Sequence, residues 1–231
     1  MKISIIVFVW NMANILNDSI NSIIENVGTD DYECILVDGN SNDGSQHICL
    51  EYQKNNKKFT YIKLPQYDEN KMWNLGLRYS TGEYVYFTKG CTYLCKNFIN
   101  SAIQFLDNNT DIGIFIRNYK MYNDNDVTDF YHFFEESYIG PRLPMCVFRK
   151  KCIGDIEFSD VPIENIFSGK IIYTTKYYFE KDNTNSFIDT QQYTNKPSTG
   201  EGLIAQYLDW IEYTKSKILD YVKNKSKNET I

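Results

Sequence analysis

Apolar runs alternate with amphipathic segments along the first half of this chain. Five nearly continuous apolar runs are typical of strands covered on both faces of a parallel sheet: residues 3–10, 32–37, 59–64, 83–88 and 112–116. Four segments between them are interpreted as helices: residues 14–26, 46–55, 70–79 and 95–106. Because strands and helices take turns, the first 116 residues predict a parallel, doubly wound α/β sheet with right-handed crossovers.

The second half of the chain is less regular. Residues 118–129 are polar and rich in Asn and Asp, which predicts an exposed hairpin or loop. Residues 145–149 and 170–179 predict strands, and residues 160–167 predict a short helix. Residues 181–200 have little apolar periodicity and are interpreted as a mobile loop.

The tail of the chain carries an apolar stripe with a helical period. Residues 201–223 therefore predict an amphipathic helix, and lysines crowd its end. Three interpretations stay open: packing on the domain, peripheral contact with a membrane surface, and contact within a homo-oligomer. The lysines do not decide between them, because they also complement a helix C-terminus.

Composition and charge narrow the class of protein. The chain has 231 residues, 42% hydrophobic and 23% charged, which is typical of a globular domain with a proper core. Its net charge of -6 argues against a general nucleic-acid binder, since phosphate contacts need a basic surface. We therefore expect no nucleic-acid partner.

Cysteine usage and the termini predict a cellular location. The six cysteines include no Cys-x-x-Cys pair and no Cys/His cluster with zinc spacing. The chain enters a predicted strand directly, without the features of a signal peptide, and no apolar run is long enough to span a membrane. A reduced, cytoplasmic protein is the simplest interpretation.

A loop of turn-forming residues lies between two carboxylates at residues 38–45. Asp38 follows the strand over residues 32–37, and Asp43 comes just before the next predicted helix. Ligands of open α/β sheets bind outside the carboxyl ends of the strands, so we interpret this loop as the floor of a ligand site. Asp43 is expected to be the helix N-cap, which is a structural role.

Three segments match one known pattern in order and spacing. Residues 4–11 look like an opening strand that usually ends Pro-Val-Tyr-Asn, and residues 35–45 are close to Val-Asp-Gly-Gly-Ser-Thr-Asp-Gly-Thr. Residues 73–87 contain Asn-x-Gly followed by Ser-Thr-Gly-Glu-Tyr. Together they resemble glycosyltransferase family 2, the inverting enzymes of the GT-A fold. The resemblance implies a Rossmann-like mixed sheet flanked by helices, here followed by the C-terminal amphipathic helix.

The resemblance also assigns roles to residues that bind the substrate. Asp38 would accept a hydrogen bond from the N3–H of a uracil or similar base, which suits an acceptor-only carboxylate. Phe8 and Trp10 would line the base pocket, where an aromatic face can stack on the base. Asn11 would contact the ribose or base, and Asn74 would lie beneath the diphosphate and sugar.

The chain departs from the family pattern at the metal site. After the fourth strand the family has Leu-Asp-x-Asp-Asp or a close variant, and one carboxylate holds Mn²⁺ or Mg²⁺. Here the same positions are Thr88-Lys89-Gly90-Cys91-Thr92, without a carboxylate, although hard cations need oxygen ligands. No metal ligand is therefore assigned, and Mn²⁺ or Mg²⁺ as a cofactor stays open. Either Lys89 places a positive charge near the leaving diphosphate, or the domain binds without catalysing.

Inverting transfer also needs a general base for the acceptor hydroxyl. The family supplies an Asp or Glu from its second half, ahead of a helix. Four carboxylates are candidates: Asp155, Glu157, Asp160 and Glu164. Asp160 is the best placed because it precedes the predicted helix, and we assign it as the catalytic base.

These inferences predict a domain layout and a function. Residues 1–200 form the GT-A domain, with a nucleotide-binding half over 1–116 and an acceptor-side half over 117–200, followed by a helix and basic tail over 201–231. The predicted enzyme moves a hexose or related sugar from a nucleotide-diphosphate donor, with a UDP-sugar favoured. The acceptor is a saccharide or lipid-linked saccharide, in surface-polysaccharide or glycoconjugate synthesis. The alternative is a catalytically degenerate module that binds nucleotide sugars or carbohydrates.

Overall fold

A central seven-stranded sheet organises the part of the chain that the structure describes. The structure is a computed structural model, and it describes residues 1–27, 30–94, 97–117, 119–123, 126–129, 146–154, 176–180 and 186–189. Within these ranges, four helices flank the large sheet and a second sheet has four strands.

The strands follow the apolar runs of the sequence. Their bounds are β1 Ile3–Val9, β2 Tyr32–Asp38, β3 Phe59–Lys63, β4 Tyr84–Lys89, β5 Thr92–Tyr93, β6 Ile112–Arg117, β7 Tyr119–Asn123, β8 Asp126–Asp129, β9 Cys146–Arg149, β10 Lys176–Glu180 and β11 Ser186–Asp189. The helices are α1 Leu16–Asn26, α2 Ser45–Asn55, α3 Glu69–Tyr79 and α4 Phe98–Asn108, with a 3₁₀ turn at Lys150–Cys152.

The large sheet is mixed rather than wholly parallel. Its strand order is β10-β6-β9-β4-β1-β2-β3, and β1 pairs in parallel with both β2 and β4. Strand β9 lies between β4 and β6 and runs antiparallel to both. The large-sheet strands of the first 116 residues all run in the same direction, as predicted, because β4 and β6 are each antiparallel to β9 and therefore parallel to each other. The mixed sheet is also what the GT-A resemblance implies. A strand from later in the chain separates the fourth and fifth apolar runs.

The core lies on both faces of the central strands. All seven residues of β1 are buried, as its continuous apolar sequence predicts. Helix α3 packs closely on β1 because Gly76 has no side chain; a Cβ there would lie 2.3 Å from Cγ2 of Ile6. On the other face, Phe98 of α4 packs against Tyr86 of β4 and Phe115 of β6.

The second sheet has the order β5-β11-β7-β8. The hairpin predicted over residues 118–129 is confirmed as the antiparallel pair β7 and β8. The loop predicted over residues 181–200 is wrong in part, because β11 lies within it and pairs with β5 and β7. This strand forms by pairing with neighbouring strands, and the hydrophobic pattern of the segment does not predict it. The helices predicted over 160–167 and 201–223 lie outside the described residues.

The turn before β4 requires a glycine at position 82. Backbone at Gly82 passes against β1, and a Cβ added there would lie 2.5 Å from the backbone nitrogen of Ser4. The N–H of Gly82 also donates to Oγ of Ser4, at 2.7 Å.

We expect Gly82→Ala to destabilise the protein by about 2–3 kcal/mol. The new Cβ would clash with the backbone of Ser4, which cannot move aside as a flexible side chain can. Urea unfolding of the variant measures the loss. The matched control is Gly154→Ala, where a Cβ would meet nothing within 4 Å, although its positive φ of 56° adds some strain. Equal stability of the two variants would contradict the close approach.

No helix among the described residues is long and apolar enough to cross a membrane.

Candidate functional site

The loop over residues 38–45 folds against the segment that follows β1. The N–H of Asn11 donates to Oγ of Ser41 at 2.9 Å, and Oδ1 of Asn11 accepts from the N–H of Asn42 at 2.9 Å. Asn11 and Asn40 have positive φ angles of 52° and 68°, a conformation that Asn tolerates better than most residues. Asn11 thus joins two loops at the carboxyl edge of the sheet.

Asp43 fastens the same two loops but does not occupy the N-cap. Its Oδ2 accepts from the N–H of Ala13 at 2.8 Å, and its Oδ1 accepts from the N–H and hydroxyl of Ser45. The N-cap of α2 is Gly44, whose φ of 106° suits glycine, so the predicted cap lies one residue off. Partial burial alone would raise the pKa of Asp43, but these hydrogen bonds lower it below the usual aspartate value.

Asp38 is completely buried, and both of its oxygens already accept hydrogen bonds from the protein. Oδ1 accepts from the N–H and hydroxyl of Ser41 at 2.9 and 2.6 Å, and Oδ2 accepts from the hydroxyl of Tyr61 at 2.8 Å. Burial and the bond to Asp38 raise the pKa of the Tyr61 hydroxyl well above its ordinary value, so it stays a donor. In this conformation Asp38 holds the loop, and because it is completely buried, contact with a base would require Tyr61 or the loop to move aside.

An aromatic cluster lies at the carboxyl end of β1 and the start of α3, and its members are Phe8, Trp10, Tyr67 and Trp73. Tyr67 lies 4.5 Å from Trp10 and 5.9 Å from Phe8 between ring centroids, and Phe8 lies 5.3 Å from Trp73. Phe8 is 3% exposed and belongs to the core, whereas Trp10 and Tyr67 are half-buried. Trp10 and Tyr67, rather than Phe8, therefore present aromatic surface at this edge.

Tyr67 also packs on the loop over residues 38–45. A Cβ at Gly39 would lie 2.9 Å from Sδ of Met72 and 3.1 Å from the Tyr67 ring. The absence of a side chain at Gly39 thus lets the aromatic cluster and α3 close on the loop. Trp10, Tyr67 and the loop form one continuous wall.

Lys89 is the last residue of β4 and points into the same edge of the sheet. Its side chain is only 11% exposed, and its Nζ lies 3.1 Å from Oε1 of Glu69. The same ammonium lies 5.6 Å from the centre of the Phe8 ring. Lys89 is therefore held inward at the end of a strand, because β4 extends through it and all six of its residues are buried.

The residues at the family's metal positions do not fit a hard divalent cation. Lys89 is cationic and bonded to Glu69, and Cys91 is a fully buried thiol with the wrong softness. Among the described residues, no group of three or more His, Cys, Asp or Glu side chains is arranged to hold a metal ion. We therefore assign no catalytic role to a metal at these positions.

The remaining predicted residues fall in two places. Asn74 is half-buried on α3, directly after Trp73 of the aromatic cluster. Asp160, with the other general-base candidates Asp155, Glu157 and Glu164, lies outside the described residues.

Sequence reasoning missed Tyr61, Tyr67 and Glu69. Each lies outside the motif segments and reaches the site only through tertiary contacts. The one signal in the sequence was the run of polar residues between β3 and α3, which indicates a loop at the same edge as the motif residues.

Comparison with known proteins identifies the family of this chain. Residues 4–157 match the sequence profile described as "Glycosyl transferase family 2". The chain belongs to glycosyltransferase family 2. The resemblance seen in the three motif segments is thus confirmed.

Two relatives in sequence are named as a glycosyltransferase and as a teichoic acid biosynthesis protein. The chain is 26% identical over 138 residues to "Glycosyltransferase GlyA" of Streptococcus pneumoniae, covering 59% of this chain and 19% of that protein. It is 30% identical over 106 residues to "Minor teichoic acid biosynthesis protein GgaB" of Bacillus subtilis, covering 45% of this chain and 12% of that protein. The chain spans less than a fifth of the length of these curated relatives.

Solved structures confirm the GT-A fold. S. aureus TarS 1-349 in complex with UDP superposes with a TM-score of 0.69 at 20% identity, covering 82% of this chain and 60% of that one. The same protein is also known in complex with UDP-GlcNAc. The mannosyltransferase PcManGT from Pyrobaculum calidifontis, in complex with GDP-Man and Mn²⁺, has a TM-score of 0.66 at 17% identity, covering 80% of this chain and 56% of that one.

Proposed function

We propose that this domain transfers a sugar from a nucleotide-diphosphate donor to a saccharide or lipid-linked saccharide, with inversion at the anomeric carbon. The observation that carries the proposal is the wall formed by the 38–45 loop, Trp10 and Tyr67 at the carboxyl edge of a GT-A sheet. The name of one relative, a minor teichoic acid biosynthesis protein, supports surface-polysaccharide synthesis as the setting, and we propose the cytoplasm as the location from the sequence.

On the donor side, we propose a UDP-sugar of the hexose class. One structural neighbour, TarS, is known in complexes with UDP and with UDP-GlcNAc, and another was solved with GDP-Man. Trp10 and Tyr67 would cover the base, Asn11 would contact the ribose or base, and Asn74 would lie beneath the diphosphate. Asp38 would read the base after Tyr61 or the loop over residues 38–45 moves to expose it.

Lys89 would supply the positive charge that offsets the leaving diphosphate. An ammonium held in a largely buried site stabilises developing negative charge more strongly than one in water. Its place at the end of β4 is where the family has the first residue of its metal motif.

A thermal-shift screen tests donor binding directly. The full chain is heated with UDP-, GDP-, CMP- and dTDP-sugars, each in EDTA and in Mn²⁺. A ligand that binds the folded state raises the midpoint by mass action, and we expect the largest rise with a UDP-sugar, equal in EDTA and in Mn²⁺. No rise with any donor would overturn the proposed function.

We propose Asp160 as the general base that takes the acceptor proton. Asp160→Asn keeps the size of the side chain and removes its basicity, so we expect the transfer rate to fall about a hundredfold. Donor binding, measured by the same thermal shift, stays unchanged because the base acts on the acceptor. Unchanged transfer would remove Asp160 from the mechanism, and Asp155→Asn is the matched control.

A second function is favoured by one specific observation. The cation that would neutralise the donor, Lys89, is bonded to Glu69, and the family's metal positions hold no carboxylate. A module that binds nucleotide sugars without turning them over is consistent with such a site. Donor binding without release of the nucleoside diphosphate would support this second function and contradict the first.

The domain layout follows from the same proposal. The nucleotide half over residues 1–116 contains the described site residues, and residues 117–200 would shape the acceptor side. Residues 201–231 would form a helix that contacts the domain, a membrane surface or a second copy.

A further inference from the structure

Glu69 connects the aromatic wall to Lys89. Its Oε2 accepts a hydrogen bond from the hydroxyl of Tyr67 at 3.2 Å, while its Oε1 lies 3.1 Å from Nζ of Lys89. Tyr67 in turn packs on Trp10 at 4.5 Å. The two oxygens of one carboxylate thus join the residues proposed to hold the base and the diphosphate.

The backbone keeps Glu69 in this position. Asp68 is the N-cap of α3, and its Oδ1 accepts from the N–H of Lys71 at 3.0 Å. Glu69 is therefore the first residue of a well-capped helix, and its side chain starts from a fixed point. With one third of its side chain exposed, Glu69 lies at the opening of the site, outside the more deeply buried Lys89.

This arrangement has a consequence for a ligand with phosphate groups. The ammonium of Lys89 carries one positive charge, and in the donor-free protein that charge is balanced by Glu69. A diphosphate that approaches Lys89 must compete with a carboxylate that is already bonded, and it also meets the negative charge of that carboxylate. Like charges brought together in a partly buried site oppose binding.

We propose that Glu69 is an affinity-determining residue of the donor site, which competes with the diphosphate of the donor for Lys89. The inference rests on the proposed function, since it takes a nucleoside diphosphate as the ligand. Glu69 thereby weakens the hold on the donor and on the nucleoside diphosphate left after transfer. It belongs to the site as a charge partner of Lys89 and has no part in bond making.

The test measures binding of nucleoside diphosphates to Glu69→Gln by isothermal titration. The full chain is titrated with UDP, GDP, CDP and dTDP, and the tightest of them is then used throughout. Glutamine keeps an acceptor for Tyr67 and Lys89 but removes the charge, so we expect Kd to fall about tenfold at low salt. The gain shrinks as salt is raised, because part of the pair is exposed.

Three comparisons separate this effect from a general loss of negative charge. Asp30→Asn removes the acid of another lysine pair, Lys58–Asp30, at the opposite edge of the sheet, and we expect it to leave Kd unchanged. The nucleoside without phosphates should bind Glu69→Gln and the unaltered chain equally. In a Lys89→Met background, Glu69→Gln should give at most a small part of the tenfold gain, because the competition is for Lys89.

Each outcome decides the question. A tighter Kd for the diphosphate alone, dependent on Lys89, supports the proposal. An unchanged or weaker Kd in Glu69→Gln overturns it and leaves the proposed function standing, because the unaltered chain still binds. The same gain in the Lys89→Met background overturns the competition for Lys89. Failure of every variant to bind any nucleoside diphosphate overturns the proposed function, and this inference with it.

Discussion

Replacing Lys89 with methionine is expected to lower the rate of nucleoside diphosphate release from the donor about a thousandfold, as for loss of one strong electrostatic donor. The ammonium is the cation that the structure places at the end of β4, where the family has its metal motif. Methionine keeps an apolar stem over the ring of Phe8, so the packing of the site is retained.

The measurement is kcat/KM for donor turnover, with circular dichroism to show that the variant is folded. Lys63→Met is the matched control. Lys63 also ends a strand at this edge of the sheet, but its side chain is exposed and its ammonium donates to the side-chain amide oxygen of Gln46. The control variant should keep nearly full activity. A Lys89→Met variant that turns over donor at the normal rate would show that Lys89 has no electrostatic role.

Replacing Arg149 with methionine is expected to cost about 4 kcal/mol of the free energy of unfolding, as for removal of one partner from a buried charged network. Arg149 is 5% exposed and donates to the carbonyl oxygens of Leu106 at 2.7 Å and of Ile112 at 3.2 Å. It also donates to Glu83 at 3.2 Å and to the hydroxyl of Tyr84 at 3.1 Å. Arg149 therefore ties β9 to β4 and to both ends of the α4–β6 connection.

Urea unfolding measures this loss. Lys151→Met, two residues further along and exposed, is the matched control and should stay within about 0.5 kcal/mol of the unaltered chain. A loss below about 1 kcal/mol for Arg149→Met would contradict a network role, since a buried carbonyl without its donor costs at least that much.

Local patterns predicted most of the elements of the first half, because its strands contain nearly continuous apolar runs. Strand β1 and helix α2 fall where the sequence places them, within a residue or two. The order of strands was harder, because β9 is short and enters between β4 and β6 from later in the chain. The four-residue sequence of β9, Cys-Val-Phe-Arg, is too short to specify which strands it pairs with.

The residues of the candidate site also differ in whether the sequence alone could place them. Trp10, Asn11 and Lys89 could be placed from motif position, because each lies at the end of a predicted strand. Their partners could not, since Tyr67 lies in the loop before α3 and Glu69 is the first residue of α3, and the position of both depends on the packing of α3 against β1. Phe8 shows the converse: its motif position suggested a pocket wall, but β1 is covered on both faces, so Phe8 lies in the core.

The most direct test of the central claim is the release of nucleoside diphosphate from the tightest-binding nucleotide sugar, measured in EDTA and in Mn²⁺. The proposed site predicts the same rate in both, and loss of that rate in Lys89→Met. Strict dependence on Mn²⁺, with Lys89→Met as active as the unaltered chain, would contradict it.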